Sequence, residues 1–248
     1  MGIALGLAAA VAAIGGFGEM SAEEVPIFVG LGVLGALSYL MFYRALQIGP
    51  ISIVSPIVSA YAAPLVVLAV LILDESLATG EIVAIVVVIS GALLASADPR
   101  AIRTTERIAV LGLVLALLTT LSLSGFTFGV SYYTQEYGLI APFFVARAFT
   151  LVFLLAAAAR GSAWKLTDRK PRLIALMALL AALDMAGYFA FNVGVRHADT
   201  SIVGTATAPY AVIPILVGVL AFSERPVTTQ WLGIALVIGG LVLLGLAG

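Results

Sequence analysis

A single acidic residue, Asp184, lies near the middle of a long apolar segment, residues 172–195. Tyr188 and Asn192 follow it at four-residue steps, and such steps place side chains along one stripe of an α-helix. A carboxylate at the centre of a membrane helix costs roughly 2.5–3.5 kcal/mol, so this stripe is expected to face other helices rather than lipid. Asp184 would then bind an amine or carry a proton. The alternative is a protonated carboxyl that hydrogen-bonds to a neighbouring helix.

Arg147 and three tyrosines are further candidates for a polar cavity among the apolar segments. Arg147 lies several residues into the segment 139–159, where it either neutralises a carboxylate in such a cavity or extends its aliphatic stem to the membrane surface. Tyr39, Tyr61 and Tyr210 combine an aromatic ring with a hydroxyl group, and we expect them to line the cavity. For Tyr61 and Tyr210, simple packing is the alternative.

Prolines and glutamates mark where the backbone should bend or turn. Four prolines fall within two apolar segments: Pro56 and Pro64 in residues 51–73, Pro209 and Pro214 in residues 200–222. Because proline lacks an N–H and frees a carbonyl one turn earlier, these helices are expected to kink and to act as hinges, or else only to shape packing. Glu75 and Glu224 end two segments, and we expect them to cap the next helix or hold the turn.

Composition requires a membrane environment for these segments. Of the 248 residues, 62% are hydrophobic and 10% are charged, with a mean hydropathy of +1.19, whereas soluble domains carry about 25% charged residues. The net charge of −1 offers no basic surface for nucleic acid, so a lipid bilayer and a small molecule are the expected partners. With no cysteine and one histidine, His197, no metal or cofactor is expected.

Nine segments have the length and composition of membrane helices, which need about 20 apolar residues. They are residues 1–18, 27–47, 51–73, 80–97, 108–130, 139–159, 172–195, 200–222 and 228–247. The prediction is therefore an all-α integral membrane protein, a helical bundle.

The chain also repeats itself at an offset of 149 residues. The segment Ser52-Ile53-Val54 matches Ser201-Ile202-Val203, and the other identical pairs include Leu34/Leu183, Tyr39/Tyr188, Phe42/Phe191, Tyr61/Tyr210, Glu75/Glu224 and Gly91/Gly240. One register shared by polar and aromatic pairs indicates a duplicated unit. A full unit has five spans, an odd number, so the second copy should cross the membrane in the opposite sense. Such inverted repeats are typical of carriers with a site near the bilayer midplane.

The repeat predicts two domains of unequal length. Residues 1–97 would form the first copy with four spans, and residues 107–247 the second copy with five. Met1 aligns with Thr150, inside a span of the second copy. We therefore expect ten spans in the intact protein and a late start in this chain; a nine-span protein is the alternative.

The order of these elements resembles an EamA repeat of the drug/metabolite transporter superfamily. In the first copy the resemblance rests on Ala36 to Tyr39, Arg44 to Leu46, Pro56, Pro64, Glu75 and Gly91; in the second copy it rests on Arg147, Gly187-Tyr188, Pro209, Pro214, Glu224, Gly233 and Gly240. The resemblance implies a ten-helix carrier whose cavity is lined by residues 27–47, 51–73, 172–195 and 200–222. Many members of the family export amino acids or other small metabolites.

The charge distribution and the family resemblance imply opposite orientations in the membrane. Basic residues crowd two connectors that lie on the same side: Arg100, Arg103 and Arg107 in one, and Arg160, Lys165, Arg169, Lys170 and Arg172 in the other. The positive-inside rule places this side in the cytoplasm, with the C-terminus outside. The family resemblance implies both termini inside, which places the same connectors outside. We favour the charge bias.

Together these features predict a secondary transporter that exports a small metabolite, such as an amino acid, across the cytoplasmic membrane by alternating access. No P-loop is present in the sequence, so the chain is not expected to hydrolyse ATP. One alternative is an intramembrane enzyme, which would need clustered nucleophiles, paired carboxylates or a metal site. The other is a membrane scaffold without transport.

Overall fold

The computed structural model describes residues 22–48, 54, 57–96, 110–138, 140–160, 171–207, 212 and 227–247. Every regular element in these ranges is helical, which confirms the all-α prediction. After a 3₁₀ turn, Ala22–Glu24, the helices are α1 (Val25–Ile48), α2 (Ala62–Ile72), α3 (Thr79–Ser96), α4 (Val110–Tyr137), α5 (Ile140–Arg160), α6 (Pro171–Gly194), α7 (Thr200–Ala206) and α8 (Thr228–Ala247). Segment 1–18 and most of segment 200–222 lie outside the described residues, so the count of nine spans stays a prediction.

Three of the described helices are long and apolar enough to cross a bilayer: Val25–Ile48, Val110–Tyr137 and Ala141–Arg160. Shorter apolar helices cover Ile57–Ile72, Thr79–Ala95 and Thr228–Leu244. Many large apolar side chains on these helices point outward, as Leu71, Val110 and Leu246 do at 72%, 72% and 80% exposure. An outward apolar surface of this kind is what lipid-facing helices present.

Helix α3 shows how the solvent decides secondary structure here. Its sequence is rich in valine and isoleucine, which favour strands in water because their branched side chains restrict the helical rotamers. In lipid, however, every backbone N–H and C=O must be satisfied within the segment. A helix meets this requirement, so the apolar environment overrides local propensity.

Helices α3 and α8 begin in the same way, at equivalent positions of the repeat. The Glu81 carboxylate accepts a hydrogen bond of 2.7 Å from the N–H of Ala78, and the Gln230 side chain accepts one of 3.0 Å from the N–H of Val227. In each case the third helical residue reaches back to the residue before the helix, which is one half of a capping box. The repeat found in the sequence is therefore repeated in the local structure.

Contacts group the chain into two compact units. Unit 1 comprises Met1–Leu37 and Gly129–His197, and unit 2 comprises Ser38–Phe128 and Ala198–Gly248. In unit 1, the start of α1 packs antiparallel to the end of α4. The ring of Phe28 lies 5.2 Å from that of Tyr133, and the Tyr137 hydroxyl donates a hydrogen bond to Glu24.

In unit 2, α3 and α8 lie antiparallel with their backbones in close contact. A Cβ placed on Gly91 would lie 2.7 Å from the N atom of Val237, and one on Gly240 would lie 2.6 Å from Val88 Cγ2. Gly91 and Gly240 are repeat equivalents, and so are Val88 and Val237, 149 positions apart. Replacing each residue by its equivalent therefore turns the first contact into the second. Equivalent helices that run antiparallel around a twofold relation are the arrangement expected of inverted repeats. Glycine permits the close approach because it has no side chain.

Candidate functional site

Arg147, Asp184 and Tyr188 come together in unit 1, where α5 packs on α6. Nη1 of Arg147 lies 3.5 Å from Oδ2 of Asp184, and Cζ of the same guanidinium lies 3.9 Å from the centroid of the Tyr188 ring. The Arg147 side chain is only 3% exposed, whereas that of Asp184 is 45% exposed. The site therefore combines a buried cation with an accessible carboxylate, and the tyrosine ring adds a cation–π contact.

The structure places these two charged residues as an ion pair between α5 and α6. The guanidinium of Arg147 is buried against α6, so its stem does not carry the charge to the surface. Asp184 pairs with a cation and keeps nearly half its exposure, which differs from a buried carboxyl bonded to a neighbouring helix. A charged arginine in an apolar interior needs a counter-charge, and Asp184 supplies it.

Asn192 forms the buried end of the α6 stripe. Its side chain is 1% exposed, and its Nδ2 donates a 2.8 Å hydrogen bond to the carbonyl of Tyr188. On the other side of Asn192 is Thr134 of α4. The Thr134 hydroxyl lies 3.0 Å from Oδ1 of Asn192 and 2.7 Å from the carbonyl oxygen of Val130, and both oxygens accept its proton. Exposure along the stripe thus falls from Asp184 to Asn192.

Thr134 belongs to a row of hydroxyl residues on α4 that was not identified from the sequence. The row consists of Thr120, Ser124, Thr127, Ser131 and Thr134, all 6% exposed or less. Their spacings of four, three, four and three residues place them on one face of the helix. That periodicity is present in the sequence and could have revealed them.

Tyr61 lies in unit 2 at an interruption between residues 57–59 and α2. The N–H groups of Ala60, Tyr61 and Ala63 each bond to the carbonyl three residues earlier, so the helix tightens before Pro64. This tightening lies one turn before Pro64, which has no N–H to donate, and a bend of the helix there stays a prediction. Whether it acts as a hinge stays a prediction.

Hydroxyl groups on α4 satisfy carbonyls at this interruption. Ser124 donates to the carbonyl of Tyr61 at 2.6 Å, and Thr120 lies 2.9 Å from the carbonyl of Ile57. The two donors are four residues apart on α4, and the two acceptors are four residues apart in the segment before α2. One turn of α4 therefore lies beside one turn of that segment. Side chains that satisfy such backbone groups are what allow an irregular helix within a membrane.

Glu75 caps a helix, but a different one from the helix expected. Its Oε1 accepts from the N–H of Thr200 at 2.8 Å, and its Oε2 accepts from the N–H of Ser201 at 3.1 Å. These amides begin α7, in the second copy of the repeat, whereas the next helix along the chain, α3, is capped by Glu81. Spacing along the sequence indicates a cap but does not identify its partner.

Asp199, immediately before α7, was also not identified from the sequence. It has the backbone conformation of a helix cap, φ −57° and ψ 143°, but its own side chain makes no cap hydrogen bond. Burial raises the pKa of the Asp199 carboxyl, and the nearby carboxylates of Glu75 and Glu81 raise it further. The start of α7 is therefore a site where acidic side chains crowd together.

The remaining predicted residues are placed as follows. Tyr39 is half-buried on α1 in unit 2. Pro56, Pro209, Tyr210, Pro214 and Glu224 lie outside the described residues.

Comparison with known proteins identifies the class of this chain. The profile of the EamA-like transporter family matches residues 1–97 and 110–246. No protein of curated function matches the chain. Among solved structures, one described only as a crystal structure of a protein superposes with a TM-score of 0.73, covering 98% of this chain and 85% of its own, at 16% sequence identity. At that identity the likeness shows the fold alone.

The chain belongs to the EamA family of the drug/metabolite transporter superfamily. It is a multi-pass membrane protein built from two EamA repeats, and the members of this family are transporters rather than enzymes. The resemblance stated from the sequence is confirmed.

Proposed function

We propose that this protein is a secondary transporter for a small zwitterionic metabolite such as an amino acid, which it exports across the cytoplasmic membrane. Arg147 binds the carboxylate of the substrate and Asp184 binds its ammonium group. The observation that carries this proposal is the ion pair between the buried Arg147 and the accessible Asp184, beside the ring of Tyr188. Membership of a transporter family supports the general class.

The charges of the pair favour a zwitterion over an ion of either sign. A cationic substrate would be repelled by Arg147, and an anionic one would be repelled by Asp184. A zwitterion satisfies both groups, and the site then stays neutral with or without substrate. Because a buried arginine without a counter-charge is costly, Arg147 is expected to exchange Asp184 directly for a substrate carboxylate.

The geometry supports such an exchange. The 3.5 Å separation in the pair is longer than the roughly 2.7–2.9 Å of a charge-assisted hydrogen bond, so Asp184 is attracted to Arg147 without being locked to it. The carboxylate is also exposed, which allows a substrate to approach it. Alternating access would follow from movement of one repeat relative to the other.

The test is flux in proteoliposomes with matched triplets of compounds. Leucine, its methyl ester and its N-acetyl derivative present the same side chain as a zwitterion, a cation and an anion, and threonine and phenylalanine supply two further triplets. Wild type is expected to move at least one zwitterion and neither of its derivatives. Uptake into everted vesicles and protection of expressing cells against that compound would establish export.

Two variants and one control assign the roles. Asp184→Asn and Arg147→Gln are each expected to raise KM for the zwitterion at least tenfold, about 1.4 kcal/mol. Glu23→Gln removes an exposed acid elsewhere in unit 1 and should leave KM unchanged. Equal flux of the zwitterion and its methyl ester would contradict the role of Arg147. Absence of substrate-dependent flux from a folded protein would contradict the transport function itself.

A coupling proton is a second role for Asp184, favoured by the exposure of its side chain beside the buried Arg147. In that form of the cycle the carboxyl takes up a proton on one side of the membrane and releases it when it pairs with Arg147. Asp184→Asn would then make the residual flux independent of a pH gradient. Residual flux that still follows the gradient would show that another group carries the proton.

A further inference from the structure

Tyr61 and Thr207 form a hydrogen bond between the two repeats, inside unit 2. The Tyr61 hydroxyl lies 2.8 Å from Oγ1 of Thr207. Thr207 has one hydroxyl proton, and its Oγ1 lies 2.7 Å from the carbonyl of Gly204, which can only accept. Thr207 therefore donates to Gly204, and the Tyr61 hydroxyl donates to Thr207.

The bond joins the start of one helix to the end of another. Tyr61 immediately precedes α2, and Thr207 immediately follows α7. One turn further along, Gly204 packs against Leu65, where an added Cβ would lie 2.7 Å from Leu65 Cδ2. The two helices are thus in close contact next to the hydrogen bond, and any separation of them has to break it.

The repeat makes this bond asymmetric. The sequence equivalents of Tyr61 and Thr207 are Tyr210 and Val58, and valine has no hydroxyl group. In a carrier with inverted repeats, the inward-open and outward-open states differ by exchange of conformation between the two copies. The contact between Tyr61 and Thr207 has a hydroxyl on both residues, whereas the equivalent contact between Tyr210 and Val58 would have one on the tyrosine alone. A hydrogen bond is therefore available in one access state and absent from the other, which favours the first state.

We propose that the Tyr61–Thr207 hydrogen bond sets the resting balance between the two access states of the transporter. This inference rests on the transport function proposed above. The bond is formed in the state described here and has no equivalent after the copies exchange conformation. Thr207 is accordingly a positioning residue, since it acts on the access equilibrium through Tyr61 rather than by touching substrate.

The size of the effect follows from the net contribution of one hydrogen bond between membrane helices, which corresponds to about a two- to tenfold change in an equilibrium. Thr207→Val and Tyr61→Phe should each shift the balance away from the described state by that factor. The double variant should shift it no further, because either change removes the whole bond. Thr207→Ser keeps the hydroxyl and should behave as wild type.

The absence of cysteine from the chain allows a direct measurement. Gly187 is exposed on α6 and an added Cβ there has no atom within 4 Å, so Gly187→Cys provides a single thiol next to the substrate site. A membrane-impermeant thiol reagent is applied to vesicles of each orientation, and the ratio of the two labelling rates reports the balance of states. The ratio is then compared between Gly187→Cys alone and with each substitution at positions 61 and 207.

A third variant separates the proposal from simple loss of stability. Val58→Thr adds the missing hydroxyl in the first copy and leaves the Tyr61–Thr207 bond intact, although it exchanges one methyl group in the buried cluster of Ala45, Val54 and Ala116. It should shift the labelling ratio in the same direction as Thr207→Val. If Val58→Thr and Thr207→Val both leave the labelling ratio unchanged in a protein that still transports, the proposal is overturned and the transport function stands. The proposal is also overturned if Thr207→Ser shifts the labelling ratio as much as Thr207→Val does. If neither the wild type nor any variant transports, the proposed function fails instead.

Discussion

The backbone contact between α3 and α8 predicts opposite outcomes for two alanine substitutions on the same helix. A Cβ on Gly233 would lie 2.7 Å from Cα of Ala95 and 2.7 Å from the carbonyl oxygen of Gly91. Both obstacles are backbone atoms, which cannot rotate away. The backbone N atom of Ala95 would lie closer still. Because ordinary contact begins at 3.4 Å, the helices would have to separate by more than 0.7 Å, the difference between 2.7 and 3.4 Å. Overpacking of this kind costs about 1–3 kcal/mol.

Gly239 provides the matched control. It lies on the same helix, is exposed, and an added Cβ would meet no atom within 4 Å. Gly239→Ala removes a helix-destabilising glycine without any steric effect, so it should be neutral or stabilising by up to about 1 kcal/mol. The two variants are therefore expected to differ by about 1–4 kcal/mol in unfolding free energy.

The assay is reversible unfolding in mixed micelles, with SDS as denaturant and tryptophan fluorescence as the signal. Gly233→Ala should unfold at a lower SDS fraction than wild type, and Gly239→Ala at the same or a higher fraction. If both variants unfold together, the close contact between α3 and α8 does not limit stability, and the reasoning from the glycine contacts is wrong.

Three further predictions concern the polar groups. Thr134→Val should raise KM for substrate about threefold, because Asn192 loses the hydroxyl that orients it, and Thr134→Ser should restore wild-type KM in the same flux assay. Ser124→Ala should lower unfolding free energy by about 0.6–1 kcal/mol, since the Tyr61 carbonyl loses a bond from a fully buried hydroxyl; an unchanged SDS midpoint would contradict this. Asp199→Asn should stabilise the protein above the pKa of Asp199. Because the folded state raises that pKa, the ionised form destabilises the fold, and the advantage of the variant should vanish as pH falls through the pKa; a pH-independent difference would show that charge is not the cause.

Helix positions followed closely from hydrophobic length and composition. The segments 27–47, 80–97 and 172–195 correspond to Val25–Ile48, Thr79–Ser96 and Pro171–Gly194. The main error is at the end of α4, which runs to Tyr137 rather than 130. The sequence from Ser131 to Tyr137 is polar enough to resemble a connector. In the structure Ser131 and Thr134 are buried on the inward face of α4, whereas Tyr132 is 39% exposed, and these polar residues did not end the helix.

Pairing between helices was much harder to predict from the sequence. Asp184, Tyr188 and Asn192 could be placed on one stripe because spacing within a helix fixes their relative direction. The partnership of Arg147 with Asp184, and of Thr134 with Asn192, depends on how separate helices are aligned along their length. No spacing within either helix determines that alignment, so the residues appeared as separate candidates.

The symmetric and asymmetric parts of this protein have different consequences for transport. The α3–α8 contact is symmetric, since the residues of its two glycine contacts exchange under the repeat, and such a contact is equally good in either access state. The polar groups are not symmetric: the first-copy equivalents of Asp184, Asn192 and Thr207 are Gly35, Tyr43 and Val58. Symmetry of the helices makes two states available, but it cannot make them unequal. If the proposals above hold, substrate polarity and the resting balance must therefore come from these few positions, where the two copies carry different side chains.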